Sequence, residues 1–208
     1  MPIPRTATVA LSVATALAWL LTAVLGATDR AAATMGFIPA RASGIVDISP
    51  AVPVALTPLS SAFVHGGVLH LGFNLLMLLW CGTAVERVLG RGPLIVLLVV
   101  GAYAAAAAQW LAGPASLIPV IGASGAISAV IGAFALSFSQ AKRVTRSVRL
   151  NQLINAAWLL AAWVVMQMMI GWMAGGQGVL LATPAHVGGF LAGLLLQRPL
   201  LLWRYRTA

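Results

Sequence analysis

Six apolar runs, each about twenty residues long, dominate the sequence and restrict what it can fold into. A helix needs roughly 20 apolar residues to cross a bilayer, and a segment in lipid must satisfy its backbone hydrogen bonds internally. We therefore predict an all-α, polytopic membrane protein, a single six-helix bundle over residues 1–208. The predicted helices span residues of about 7–27, 64–85, 93–112, 122–140, 151–173 and 184–203.

Composition excludes the main soluble classes. Hydrophobic residues make up 61% of the chain and charged residues 7%, whereas soluble domains carry about 25% charged residues. The net charge is +9, but the basic residues lie between apolar runs rather than on a polar or aromatic surface, so we predict no nucleic-acid partner. A single cysteine, Cys81, excludes a disulfide framework and a cysteine-rich metal site.

The basic residues predict the orientation of the bundle. If six helices alternate, only Arg30 and Arg41 fall on one side, in a long outer loop over residues 28–63. The positive-inside rule then places both termini in the cytoplasm. The first run is longer than the roughly 7–15 apolar residues of a signal peptide, so we expect it to be retained as a helix. The residues that fall on the opposite, inner side are Arg5, Arg87, Arg91, Lys142, Arg143, Arg146, Arg149, Arg198, Arg204 and Arg206.

Polar side chains gather near the predicted outer ends of three helices. His65, His70 and Asn74 belong to the outer half of helix two, Ser124 to the outer end of helix four and His186 to that of helix six. Polar groups inside a membrane are expensive, so each is a functional candidate. Their similar depth suggests one common site.

Ser124 and His186 have the chemistry of a nucleophile and its base. Pro119 and Gly122 interrupt helix formation, so helix four should begin near Ser124 with free backbone N–H groups. Attack on an amide builds negative charge on the carbonyl oxygen. The Asn74 amide, the His70 ring and the Ser124 backbone N–H are donors at plausible depth. Small residues that let helices four and six approach closely include Gly125, Ser128, Ala129, Gly132, Gly189 and Gly193.

Other readings of these residues remain open from the sequence. Ser124 has the position of an ordinary helix N-cap, and Asn74 can bond a neighbouring helix. A metal site of His65, His70 and His186 is disfavoured, because a five-residue gap does not place the first two on one helical face. A small transporter would need a helix broken at the bilayer midplane.

The acidic residues do not supply a third member for a triad. Glu86 lies at the inner end of helix two, a membrane's width from His186, and Asp29 and Asp47 lie in the outer loop. These are the only three acids in the chain. If the chain is a hydrolase, it uses a Ser–His dyad.

From about Leu56 to its C-terminus the chain resembles the rhomboid intramembrane serine proteases. Singly these motifs are weak, but their order across six apolar runs is specific. The matching motifs are Gly122-Ala-Ser-Gly125, His65 with His70-x-x-x-Asn74, Gly82-x-x-x-Glu86-x-x-x-Gly90 and Ala185-His186-x-x-Gly189-x-x-x-Gly193.

The resemblance implies an endopeptidase that cuts single-span membrane proteins near the outer end of their helix. It implies Ser124 as nucleophile, His186 as base, and His70, Asn74 and the Ser124 amide as the oxyanion site. It also implies a basic six-helix bacterial form in the plasma membrane, without a metal or another cofactor, whose substrates enter past helix five. Supporting roles fall to His65, Gly122, Gly125, Gly189 and Gly193.

Two departures from the family pattern bear on activity. Ser128 stands four residues after the nucleophile, where relatives often carry a tyrosine that packs on the catalytic histidine. The outer loop also lacks a Trp-Arg pair seen in several relatives. An inactive rhomboid-like protein that binds membrane helices is the alternative, but such proteins lack the serine or the histidine. This chain keeps both, so we expect an active enzyme.

Overall fold

The computed structural model describes residues 6–138, 144–173 and 182–206. Helices form most of these ranges, no strand occurs within them, and the all-α prediction is confirmed. Arg5, Lys142 and Arg143, which contributed to the predicted orientation, lie outside the described residues, as does the predicted end of helix four at 139–140. The six long helices are α1 (Ala7–Val24), α2 (Val68–Leu89), α3 (Arg91–Ala112), α4 (Ser124–Phe138), α5 (Val148–Met173) and α6 (Thr183–Arg204).

Five of these helices are long and apolar enough to cross a membrane, and α4 is the exception. Its 15 described residues correspond to about 22 Å at 1.5 Å per residue, less than the roughly 30 Å of a hydrocarbon core. The chain up to Gly122 is non-helical and α4 begins at Ser124, where Pro119 and Gly122 led us to expect a helix start.

Helix α2 begins later than the sequence indicates. Its first residue is Val68, so His65 lies in the non-helical segment before the helix rather than in its outer half. Gly66 and Gly67 separate the two, and consecutive glycines disfavour a helix. His70 and Asn74 are within α2, as predicted.

Helix α4 is the centre of the bundle. Most of its residues are buried, including Ile127, Val130 and Ile131. It packs against α6 with backbone in contact with backbone, since a Cβ added to Gly189 would overlap the carbonyl oxygen of Gly125. A Cβ added to Gly193 would likewise overlap the carbonyl oxygen of Ala129. Glycine at these positions is what brings the two helices this close.

The outer loop between α1 and α2 is structured and attached to the chain that precedes α4. It contains short helices at Thr28–Met35 and Pro39–Ala42. Phe37 and Val120 exchange two backbone hydrogen bonds of 3.0 and 2.8 Å, and the Ser60 hydroxyl donates to the Met35 carbonyl oxygen at 2.6 Å. The loop thereby forms one wall beside the start of α4.

At the other end of the bundle, the Glu86 carboxylate binds the start of α1. It accepts hydrogen bonds from the backbone N–H groups of Ala7 (2.8 Å) and Thr8 (2.9 Å) and from the Thr8 hydroxyl (2.6 Å). A carboxylate is favourable at a helix N-terminus, where backbone N–H groups lack intrahelical partners. Glu86 thus connects α1 to α2.

Replacing Glu86 by alanine is expected to lower the free energy of unfolding by about 3 kcal/mol, because a buried charged acceptor with three bonds is lost. Unfolding in detergent micelles, followed by circular dichroism, measures this. The control is Asp47→Ala, which removes an exposed acid and should change stability by less than about 0.5 kcal/mol. Equal effects of the two substitutions would contradict the role given to Glu86.

Candidate active site

The structure brings Ser124 and His186 together. Ser124 is the first residue of α4, and His186 lies in the first turn of α6 behind Pro184. The Oγ of Ser124 is 2.8 Å from the Nε2 of His186, and each residue is only 6% exposed. The predicted glycines lie directly at this contact, with Gly189 against Gly125. The two side chains therefore have the geometry of a hydroxyl and its base.

A tight turn at Gly122 sets the position of Ser124. Gly122 has φ +103°, a conformation that residues with a Cβ rarely adopt. Its N–H donates to the Ser61 carbonyl oxygen at 2.9 Å. A Cβ at this position would also lie 2.5 Å from the Nε2 of His70. The absence of a side chain thus lets the His70 ring approach the turn that carries the serine.

His65 packs against the same turn from the segment before α2. Its Nε2 accepts a hydrogen bond from the Ala123 N–H at 3.4 Å, and its ring centre is 4.9 Å from that of His70. Burial, together with the charge of the nearby His70, lowers the pKa of His65 from 6.5 to about 3. A neutral imidazole is the form that can accept this bond, so His65 is suited to holding the loop.

Asn74 is bonded within its own helix. Its Nδ2 donates to the backbone carbonyl oxygen of His70, one turn earlier in α2, at 2.8 Å. Its Oδ1 is buried and has no hydrogen-bond partner within the described part of the chain. One N–H of the amide is therefore bound to its own helix.

Trp163 of α5 contacts the candidate site, although the sequence did not identify it as a site residue. Its Nε1 donates to the Ser128 hydroxyl at 2.8 Å, and that hydroxyl donates to the Ser124 carbonyl oxygen at 2.7 Å. The Trp163 ring packs edge-on against the His186 ring. The ring centres are 6.2 Å apart and the angle between the ring planes is 69°. The signal available in the sequence was Ser128, which stands where relatives often carry a tyrosine. The Trp163 indole lies beside Ser128 and His186 in its place.

A cavity of about 20 Å³ lies beside the Ser124 and His186 side chains. One water needs roughly 10–15 Å³ by this measure, so the site has room for a single molecule. The three histidines do not form a candidate metal site, since the described residues include no group of His, Cys, Asp or Glu arranged to hold an ion. The cavity is lined by Phe37, Ser61, Ala105, Gly122, Ser124 and His186, among others.

Comparison with known proteins identifies the family. The family model for the Rhomboid domain matches residues 55–203. The chain belongs to the rhomboid family. The match contains α2 to α6 almost completely, and so every residue named above in the rhomboid site except Phe37.

Several relatives of this rhomboid are named as proteases. Rhomboid protease GlpG of Serratia proteamaculans is 34% identical over 138 residues, which cover 66% of this chain and 45% of the relative. Rhomboid protease GluP of Bacillus subtilis is 28% identical over 139 residues, covering 66% and 24%. Rhomboid protein 1, mitochondrial, of Saccharomyces cerevisiae is 31% identical over 144 residues, covering 66% and 39%. Each match spans less than half of the relative's length.

Proposed function

We propose that this rhomboid is an intramembrane serine endopeptidase that uses a Ser124–His186 dyad. The observation that carries the proposal is the 2.8 Å separation of Ser124 Oγ and His186 Nε2 at a buried junction of two helices. A catalytically inactive helix-binding relative would have no use for this pair. The names of the relatives agree with a protease.

The proposed reaction begins with proton transfer. The Nε2 of His186 accepts the Ser124 proton while Oγ attacks the carbonyl carbon of the substrate peptide bond. His186 then gives that proton to the departing amine, and an acyl-enzyme remains on Ser124. A water, for which the adjacent cavity has room, then attacks the ester while His186 takes its proton. His186 returns that proton to the departing Ser124 oxygen as the second product is released.

Stabilisation of the oxyanion is assigned to groups around the Gly122 turn. The Ser124 backbone N–H stands at a helix start, where such groups lack intrahelical partners, and the His70 ring lies against the same turn. A primary amide has two N–H donors. Because one Asn74 N–H is bound to the His70 carbonyl oxygen, we assign the second to the oxyanion.

Trp163 is proposed as the positioning residue for the dyad. In the absence of a tyrosine at position 128, its ring restricts the His186 imidazole from the side. Its N–H holds Ser128, which in turn bonds the backbone of Ser124. No carboxylate positions His186, since Glu86 binds α1 and Asp29 and Asp47 are exposed.

Replacing Trp163 by phenylalanine keeps a ring and removes the N–H donor. We expect kcat to fall about tenfold, the equivalent of one hydrogen bond, while KM stays within about twofold because substrate contacts are intact. Cleavage kinetics in proteoliposomes measure both constants. The control is Trp158→Phe, on the same helix and 72% exposed. A loss confined to KM would contradict a positioning role.

The proposed substrates are single-span membrane proteins, cut near the end of their helix on the non-cytoplasmic side. This follows from the predicted orientation, with both termini in the cytoplasm of a bacterial cell and the chain in its plasma membrane. The described part of α4, Ser124–Phe138, is shorter than a full span, which favours a serine below the membrane surface. The resemblance to rhomboids suggests entry of the substrate past α5.

Labelling with a fluorophosphonate tests the proposed nucleophile directly. Detergent-solubilised protein should label, and Ser124→Ala and His186→Ala should not, because the first lacks the hydroxyl and the second its base. Ser137→Ala is the control, since Ser137 lies on α4 between three and four turns from Ser124 and accepts a hydrogen bond from Gln197 instead. Labelling that persists in Ser124→Ala would eliminate the dyad.

A further inference from the structure

A second polar cavity lies at the opposite end of the bundle from Ser124. Its volume is about 360 Å³. Three of its residues are arginines from three different elements: the end of α2, the start of α3 and the end of α6. The proposed peptidase reaction uses none of them. The lining residues of this basic cavity are Thr6, Val9, Thr83, Glu86, Arg87, Arg91 and Arg204.

The described lining of the basic cavity carries more positive than negative charge. It includes three guanidinium groups and one carboxylate. That carboxylate, Glu86, already binds the start of α1 and stands 3.9 Å from the Nε of Arg91. Within the described residues, Arg87 has no hydrogen bond or ion pair. Like charges that converge on one space repel, and a bound anion offsets that repulsion.

Arg204 is solvent-exposed, but two contacts within the protein position its guanidinium. Its guanidinium packs over the turn between α2 and α3, where a Cβ added to Gly90 would lie 2.7 Å from Nη1. The ring of Tyr205 lies 5.4 Å from its central carbon, within cation–π range. A guanidinium fixed before binding loses less entropy on contact with a ligand. A planar guanidinium can donate two parallel hydrogen bonds to two oxygens of one phosphate.

We propose that the basic cavity binds a phosphate group. The shared chemistry fits either the phosphodiester of an anionic lipid headgroup or a free phosphate. We favour the lipid as the source of the phosphate, because the cavity lies at the end of the membrane helices that is proposed to be cytoplasmic. Basic pockets between membrane helices on that side are suited to anionic headgroups. The bound phosphate bridges α2, α3 and α6.

Lipid retention measured by native mass spectrometry tests the proposal. The full chain is reconstituted in nanodiscs of phosphatidylcholine with phosphatidylglycerol, released, and its bound lipids are counted. Arg87→Gln and Arg204→Gln should each lower phosphatidylglycerol retention about fivefold, equivalent to about 1 kcal/mol per arginine near a membrane surface. Arg198→Gln is the matched control, since it removes the same charge from α6 at a residue outside the cavity.

A second arm distinguishes the two sources of phosphate. Inorganic phosphate at millimolar concentration should leave phosphatidylglycerol retention unchanged if the lipid tails contribute, and should displace the lipid if the site takes free phosphate. Arg204→Lys keeps the charge and removes the paired donors, so it should lose about twofold to threefold even if a glutamine variant unfolds. Retention in Arg87→Gln and Arg204→Lys equal to that in Arg198→Gln would overturn the proposal.

Discussion

Cleavage of a single-span substrate is expected to fall by about four to six powers of ten when Ser124 is replaced by alanine. Removal of the attacking oxygen leaves only binding and the oxyanion donors, which act weakly without it. His186→Ala should lose a comparable amount, because its Nε2 is the group 2.8 Å from the serine oxygen. Rates in proteoliposomes, with product separated by gel, measure both.

The double variant makes this prediction sharper. Groups that act as one unit are strongly non-additive, so Ser124→Ala with His186→Ala should be no slower than either single variant. Thermal unfolding of each protein serves as the control for folding. Additive losses, or cleavage by Ser124→Ala within tenfold of the unchanged protein, would refute the dyad.

Replacing Gly189 by valine is expected to reduce cleavage at least about 100-fold. The new Cβ would overlap the carbonyl oxygen of Gly125, so α6 must move away from α4. His186 lies one turn earlier on the same helix and would move with it. A displacement of about 1 Å in a catalytic group costs about that much in rate, and the overpacked core should lose about 1–3 kcal/mol of stability.

Gly72→Ala is the matched control for this substitution. Gly72 is also within a helix, but an added Cβ would meet nothing within 4 Å. Alanine there should leave the cleavage rate unchanged and stabilise the protein by up to about 1 kcal/mol. A Gly189→Val protein with full activity would show that the close approach of α4 and α6 does not position the dyad.

Hydropathy and small-residue spacing predict much of the bundle. The apolar runs predict where the helices lie in the sequence. Ser124 and His186 are both near the outer ends of their runs, which is enough to suggest that their side chains are in contact. Gly189 and Gly193 indicate close packing without specifying the partner atoms. The rhomboid resemblance, confirmed by the family match over residues 55–203, rests on the same residues.

The remainder depends on side-chain directions that spacing along one helix does not determine. Trp158, Trp163 and Trp172 read alike in the sequence, yet only Trp163 is buried and bonded to Ser128. Asn74 was predicted as a donor to the oxyanion, and one of its N–H groups is bound to its own helix. The pairing of Phe37 with Val120 joins segments about 80 residues apart, a contact that no local pattern in the sequence indicates.

The pairing of Phe37 with Val120 shows that residues before the matched Rhomboid domain, 55–203, contact the chain that leads into the proposed active site. A shortened chain that began at residue 55 would retain every residue proposed for the chemistry. It would lose the strand-like clamp on the segment that leads into Ser124, and with it α1 and the bonds that Glu86 makes there. The turn before Ser124 would keep the bonds of Gly122 to Ser61 and of Ala123 to His65 but would lose its support from the outer loop. Residues 6–54 therefore support the proposed reaction structurally and take no chemical part in it.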